Sequence, residues 1–137
     1  MINRILVGYD GSDSARKALL TAFELAECLK GKVTLLVVVR PMEFVEFEVK
    51  TALDAAKKHL ADTFHWAEDE ALKRHTDLEI RSEVGHPAEI IAKIAEEEQF
   101  DLILIGRRGI TKVKRWILGS ISERVLRYAH CPVMVVD

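Results

Sequence analysis

The sequence predicts an α/β fold: a three-layer sandwich in which a parallel five-stranded sheet, order 3-2-1-4-5, carries helices on both faces. Three observations carry this prediction. Short apolar runs alternate with helically spaced segments along the whole chain, which is the pattern of successive β-α-β units. Two of the runs, Val33 to Val39 and Leu102 to Ile105, are apolar at nearly every position, as strands covered on both faces are. A third run, through Leu78, Ile80 and Val84, alternates with polar residues. One of its faces is therefore wet, which places it at a sheet edge.

The elements follow in order. Ile5-Leu6-Val7 is a short strand that runs into the turn Gly8-Tyr9-Asp10-Gly11-Ser12. Ala15, Ala18, Leu19, Ala22, Ala26 and Leu29 then recur at helical spacing, and Gly31 ends that helix as the C′ residue. Val33 to Val39 is the second strand, stopped by Pro41, and Met42 to Val49 reads as loop. From about Lys50 to His75 the positions Leu53, Ala56, Leu60, Phe64, Ala67 and Ala71 step by three and four, giving a long helix with one apolar stripe. After the third strand, Gly85-His86-Pro87 opens a helix with Pro87 in its first turn and His86 as its cap. Ile90, Ile91, Ile94 and Ala95 make its buried face. Leu102 to Ile105 is the fourth strand. The last helix begins at Ser120-Ile121-Ser122-Glu123, which fits a capping box with Ser120 as N-cap and Glu123 reaching back. Ile121, Val125 and Leu126 are expected to face inward. Val133 to Val136 is the fifth strand, apolar throughout and at the other edge.

At 137 residues, 49% hydrophobic and 31% charged, the chain reads as one globular domain, residues 1–137. Its net charge of −2 exerts no global pull toward nucleic acid or anionic membrane. The two cysteines, Cys28 and Cys131, make neither a disulfide framework nor a zinc site. The chain runs into a strand within a few residues without a signal-peptide pattern, and no apolar stretch approaches the ~20 residues that span a bilayer. A soluble cytoplasmic protein is expected. The Glu96-Glu97-Glu98 run reads as a solvated helix end.

The most informative segment is Gly106 to Ser122, G-R-R-G-I-T-K-V-K-R-W-I-L-G-S-I-S. Two close glycines follow a buried strand, and after nine intervening residues a Gly-Ser pair opens a helix. Glycine lets backbone approach a ligand closely. A helix start offers unpaired N–H groups and the positive end of a dipole. Together they make an anion site suited to the phosphates of a nucleotide. In the order 3-2-1-4-5, strands one and four are neighbours and the chain reverses between them, which is where open α/β sheets bind ligands. The turn Gly8 to Ser12 and the turn Gly106 to Gly109 converge there.

The motif Gly106-x-x-Gly109, nine residues, then Gly119-Ser120 resembles the nucleotide-binding pattern of the universal stress protein family, in its ATP-binding branch. The opening Ile5 to Ser12 and the ending His130-Cys131-Pro132-Val133-Met134-Val135-Val136 are similar to that family's first and last strands. The resemblance covers the whole chain. It implies the adenine nucleotide alpha hydrolase-like fold and a small homodimer that binds ATP, or ADP or AMP, with Mg²⁺ reaching the site through the phosphates. Asp10 would accept hydrogen bonds from adenine or ribose, and Val38 would line the base. Gly106, Arg107 and Gly109 would lie along ribose and phosphates. Gly119, Ser120, Ile121 and Ser122 would offer N–H groups and hydroxyls to the phosphates. Structural duties compete with these roles: an Asx-turn or helix cap for Asp10, capping for Ser120, and a plain left-handed turn for Gly106 and Gly109. The apolar fifth strand, Val133 to Val136, is expected to pair antiparallel with its twin across a two-fold axis.

Other chemistries lack their residues. There is no G-x-x-x-x-G-K-[ST], G-x-G-x-x-G or G-x-S-x-G. The five histidines, His59, His65, His75, His86 and His130, show no metal-ligand spacing, and no general base is in place. The loop through Arg107, Arg108, Lys112, Lys114 and Arg115, interrupted by Trp116, is either a solvated loop or a grip for phosphates or an acidic partner. Arg107-Arg108 departs from the small or polar residues frequent in the family. A nucleotide-dependent sensor or signalling module acting on an unknown protein partner is the favoured class. A slow ATPase of the same architecture and a protein-interaction module without turnover are the alternatives.

Overall fold

The computed structural model describes residues 1–40, 50, 51, 54, 58, 61–107 and 118–137. Along them run β1 (Arg4–Tyr9), α1 (Asp13–Leu29), β2 (Lys32–Val39), α2 (Ala61–Lys73), β3 (Asp77–Val84), α3 (Pro87–Glu97), β4 (Leu102–Gly106), α4 (Ser120–Tyr128) and β5 (Val133–Val136). Lys50, Thr51, Asp54 and Lys58 are also helical. The expected loop Met42 to Val49 and the stripe positions Leu53, Ala56 and Leu60 lie outside the described residues.

The five strands form one sheet in the order β3-β2-β1-β4-β5, and every pairing is parallel. Strand alternation sends Ile5, Val7, Val33, Leu35 and Leu104 to one face, where α1 and α2 cover them with Leu19, Phe23 and Ala67. Leu6, Leu36, Ile103 and Ile105 point to the other face, under Ile91 and Ala95 of α3 and Val125 of α4. The core is thus two apolar layers sharing one sheet. Burying each Leu, Ile or Phe of this kind stabilises by about 1.5–3 kcal/mol. The alternating strand β3 is an edge, as its wet face predicted, and β5 is the other.

Local expectations needed four corrections. β1 continues through Gly8 and Tyr9, because Tyr9 is buried and pairs with Val37. The left-handed residue ending α1 is Lys30 (φ 56°), not Gly31. Gly31 is required for another reason: a Cβ there would lie 2.9 Å from the Asn3 carbonyl oxygen. His86 occupies the N-cap position of α3 in extended conformation, but its ring makes no capping hydrogen bond, so Pro87 and the backbone start that helix. Leu126 is 45% exposed. The inward stripe of α4 runs through Ser122 and Val125, three residues apart, and Leu126, 100° further round from Val125, lies at its margin.

At the amino ends of the strands, the Asp101 carboxylate receives the N–H groups of Asn3 and Arg4, each at 2.9 Å. These two donors hold its pKa below the usual aspartate range. Arg4 also stacks on Phe100, 4.4 Å from its centroid, and donates to the Glu98 carbonyl, while Arg81 pairs with the Glu98 carboxylate. This network pins the α3–β4 corner to β1 and β3.

Candidate functional site

At the carboxyl end of β1, Gly11 adopts φ +86°, a conformation that favours glycine. The turn it makes brings the Ser12 N–H to Asp10 Oδ1 at 2.9 Å, an Asx-turn. Ser12 is then extended (φ −73°, ψ 161°), and its Oγ accepts from the Ala15 N–H at 3.2 Å, capping α1. Asp10 therefore has the structural duty weighed against its binding role, while remaining exposed at the strand tip. Val38 lies half-buried near the end of β2, on the face covered by α3 and α4. Gly8 points to that same face, where a Cβ would meet Ile91 Cδ1 at 2.7 Å.

Gly106, the last residue of β4, is wedged against the first turn of α1. A Cβ there would lie 2.7 Å from the Ala15 nitrogen and 2.8 Å from the Ser14 carbonyl carbon. Its φ is outside the left-handed region, so close approach rather than turn geometry demands a glycine. On its other side, the Ser122 hydroxyl donates to the Gly106 carbonyl at 2.8 Å. Ser122 is only 3% exposed. Its hydroxyl thus ties the first turn of α4 to the end of β4. Two helix starts converge on one strand end.

The capping box expected at Ser120 does not form. Gly119 takes the N-cap position (φ −62°, ψ 151°) with no side-chain cap. Ser120 is thereby shifted into the helix, where its hydroxyl no longer precedes the turn it was to cap. The Glu123 carboxylate pairs with Arg127 at 3.3 Å instead. α1 and α4 consequently differ: Ser12 caps the first, whereas no side chain among the described residues caps the second. The first-turn N–H groups of α4 belong to Ser120, Ile121 and Ser122, the residues expected to face phosphates.

Arg107 closes the loop at its base. Its carbonyl accepts the Gly119 N–H at 3.1 Å and its own N–H donates to the Val136 carbonyl at 2.7 Å. Its guanidinium turns toward Asp137, at 3.4 Å. Gly109 and the loop residues Arg108, Lys112, Lys114, Arg115 and Trp116 lie outside the described residues. Asp10, Val38, Gly106, Arg107 and Gly119 to Ser122 all sit at the carboxyl ends of strands or the α4 start, at the reversal between β1 and β4. Ser12 and Ser14, which flank this crevice from α1, were not singled out from the sequence. The run D-G-S-D-S after a strand was the signal available.

No cluster of histidine, cysteine or acidic residues among the described residues could hold a metal ion, and no described helix is long and apolar enough to cross a membrane. A cleft of about 370 Å³ between Arg4, Lys32, Asp77 and Glu79 lies at the opposite, amino end of the strands. It is remote from this crevice, and its charges are of both signs.

The sequence profile of the universal stress protein family matches residues 1–137. The chain belongs to the universal stress protein family. A protein of Staphylococcus aureus (strain USA300) named as a universal stress protein is 36% identical over 136 residues, covering 96% of this chain and 82% of the relative. Among solved structures, that of hypothetical protein MJ0577 has TM-score 0.82 and 29% identity, covering 99% of this chain and 96% of the other. A universal stress protein in complex with cAMP has TM-score 0.78 and 26% identity, covering 98% and 97%. This universal stress protein has the adenine nucleotide alpha hydrolase-like fold of its structural neighbours.

Proposed function

We propose that this universal stress protein binds an adenine nucleotide in the crevice at the carboxyl ends of β1, β2 and β4 and acts as a nucleotide-dependent sensor. The observation that carries the reading is the N-terminus of α4, which no side chain among the described residues caps, set beside a glycine-floored strand end and the Asp10 turn. Unpaired first-turn N–H groups attract phosphate oxygens. Val38 supplies an apolar surface for the base, and Asp10 an acceptor for ribose or adenine. Membership of a family with a cAMP-bound relative supports the nucleotide class. In this reading Mg²⁺ is carried by the phosphates, since ATP sites commonly hold it that way. The role is binding and signalling to a protein partner in the cytoplasm, with hydrolysis at most slow.

Gly119→Asp tests the assignment. The extended Gly119 backbone suits an aspartate, whose carboxylate would cap the N–H groups of α4. The fold should be as stable as wild type or slightly more so. Affinity for ATP, ADP, AMP and cAMP in calorimetric titrations should fall at least tenfold through competition and charge repulsion. Undiminished affinity refutes the phosphate position. Before titration, the purified protein should be denatured and any released nucleotide identified by chromatography and mass.

The second part of the reading is a homodimer. β5 is an edge strand of apolar residues, with Met134 38% exposed, and such an edge favours pairing with a second copy. Sedimentation at micromolar concentration should give a dimer mass, and Met134→Lys should give a monomer. A monomeric wild type overturns it.

A further inference from the structure

The structure assigns Asp137 as a positioning residue that restrains the Arg107 guanidinium and thereby sets how strongly the site favours highly charged nucleotides. This rests on the nucleotide reading above. Arg107 is the first residue beyond Gly106, and its backbone N–H, carbonyl and guanidinium each have a partner. Its N–H goes to Val136 and its carbonyl takes the Gly119 N–H. Its guanidinium meets Asp137 Oδ2 at 3.4 Å, with the side chain 21% exposed. The bond to Gly119 anchors Arg107 beside the first turn of α4. A permanent cation therefore stands next to the anion position while its charge is directed toward the end of β5.

The pair is loose and monodentate. An arginine has five N–H donors in a planar fork, so donors remain for a phosphate. A half-exposed ion pair of this kind stabilises little. A polyphosphate can therefore draw the guanidinium away from Asp137, and each ATP that binds must do so against that carboxylate. A monophosphate presents less charge and gains less from Arg107. Asp137 thus acts on the ligand through Arg107, and the tie between β4 and β5 becomes part of the site.

Calorimetric titration of the wild type, Asp137→Asn, Arg107→Gln and the double variant with ATP and with AMP tests this. Asp137→Asn should tighten ATP binding about two- to fivefold, the size expected when a partly exposed charge pair is released. AMP affinity should change by less than about twofold. Arg107→Gln should weaken ATP, and in that background Asp137→Asn should have no further effect. Asp137→Glu should restore wild-type selectivity. If the asparagine effect persists without Arg107, the carboxylate repels phosphate directly and the positioning role is overturned. Equal or absent changes for ATP and AMP overturn it as well. A wild type that binds neither nucleotide removes the underlying reading and this inference with it, a result distinct from binding without the selectivity shift.

Discussion

One methyl group at position 106 tests whether the floor of the crevice is fixed by packing. In Gly106→Ala the new Cβ would stop 2.7 Å from the Ala15 nitrogen, about 0.7 Å inside ordinary van der Waals contact. The nearest opposing atom is the Ser14 hydroxyl, which can rotate, but the next two are backbone, so rotation alone does not relieve the clash. That backbone is held by the Ser12 cap and by Ala15 and Ala18, which are buried in the core. Overpacking of this sort costs about 1–3 kcal/mol. Because φ at Gly106 is accessible to alanine, the stiffer unfolded chain offsets about 0.4–1 kcal/mol. A net loss of about 1–2 kcal/mol remains, which lowers a urea midpoint by about 0.5–1 M at an ordinary m-value. Relief requires α1 and β4 to move apart, so nucleotide affinity should fall at least tenfold. Gly31→Ala is the control. Its Cβ would collide with the Asn3 carbonyl at 2.9 Å, at the other end of the sheet, so stability should fall without loss of affinity. An unchanged urea midpoint for Gly106→Ala, or affinity equal to that of Gly31→Ala, refutes the reasoning.

Further measurements check other contacts. Ser122→Ala leaves the Gly106 carbonyl without its 2.8 Å donor and should cost about 1–2 kcal/mol in urea unfolding; a midpoint within error of wild type would mean the tie is dispensable. Asp101 has its pKa depressed by the Asn3 and Arg4 N–H groups. Its stabilisation is therefore complete above the ordinary aspartate range and is lost as pH falls through the lower folded-state value. Wild type should lose stability on acidification below about pH 4 more steeply than Asp101→Asn, and parallel pH profiles would contradict this. Burial raises the Cys131 thiol pKa, whereas Cys28 is exposed. Alkylation at mildly alkaline pH, mapped by mass, should modify Cys28 first; the reverse order would place Cys131 at the surface.

The sheet order was legible because the strands differ in how many faces they bury. Leu78 and Ile80 alternate with charged residues, whereas Val33 to Val39 do not, and that contrast alone separates an edge from the centre. The helix termini were less legible. In Gly119-Ser120-Ile121-Ser122-Glu123 both glycine and serine are competent N-caps, and the choice depends on the direction from which the preceding chain arrives. The family resemblance implies that Ser122 offers its N–H and hydroxyl to phosphate; in the fold its side chain is buried, and its hydroxyl donates to a carbonyl sixteen residues earlier. Gly31 reads as a helix terminator in the sequence, whereas its constraint is the Asn3 carbonyl, a contact made only when β1 and β2 pair. The contact of Arg107 with Asp137, thirty residues further on, is not legible in the sequence because it forms only through the β4–β5 pairing.

These long-range contacts bear on the site itself. Asp10, Gly106 and Ser122 each satisfy a demand of the fold: an Asx-turn, a close approach to α1, and a tie from α4 to β4. None of them needs a ligand to explain its identity. The start of α4 is different. Ser12 answers the donors of α1, but Gly119 leaves the equivalent donors of α4 without a side-chain cap among the described residues. A cap at such a position contributes about 0.5–2 kcal/mol, and an aspartate or serine at position 119 would provide it. Forgoing that contribution leaves these donors uncapped by any described side chain, where two helix starts and a glycine-ended strand converge. A ligand that answers them stabilises the folded state in proportion to its concentration over Kd. The nucleotide-dependent rise in Tm should therefore vanish in Gly119→Asp, where the cap already occupies those donors, while persisting in Gly31→Ala, where the fold is weakened but the α4 start is untouched.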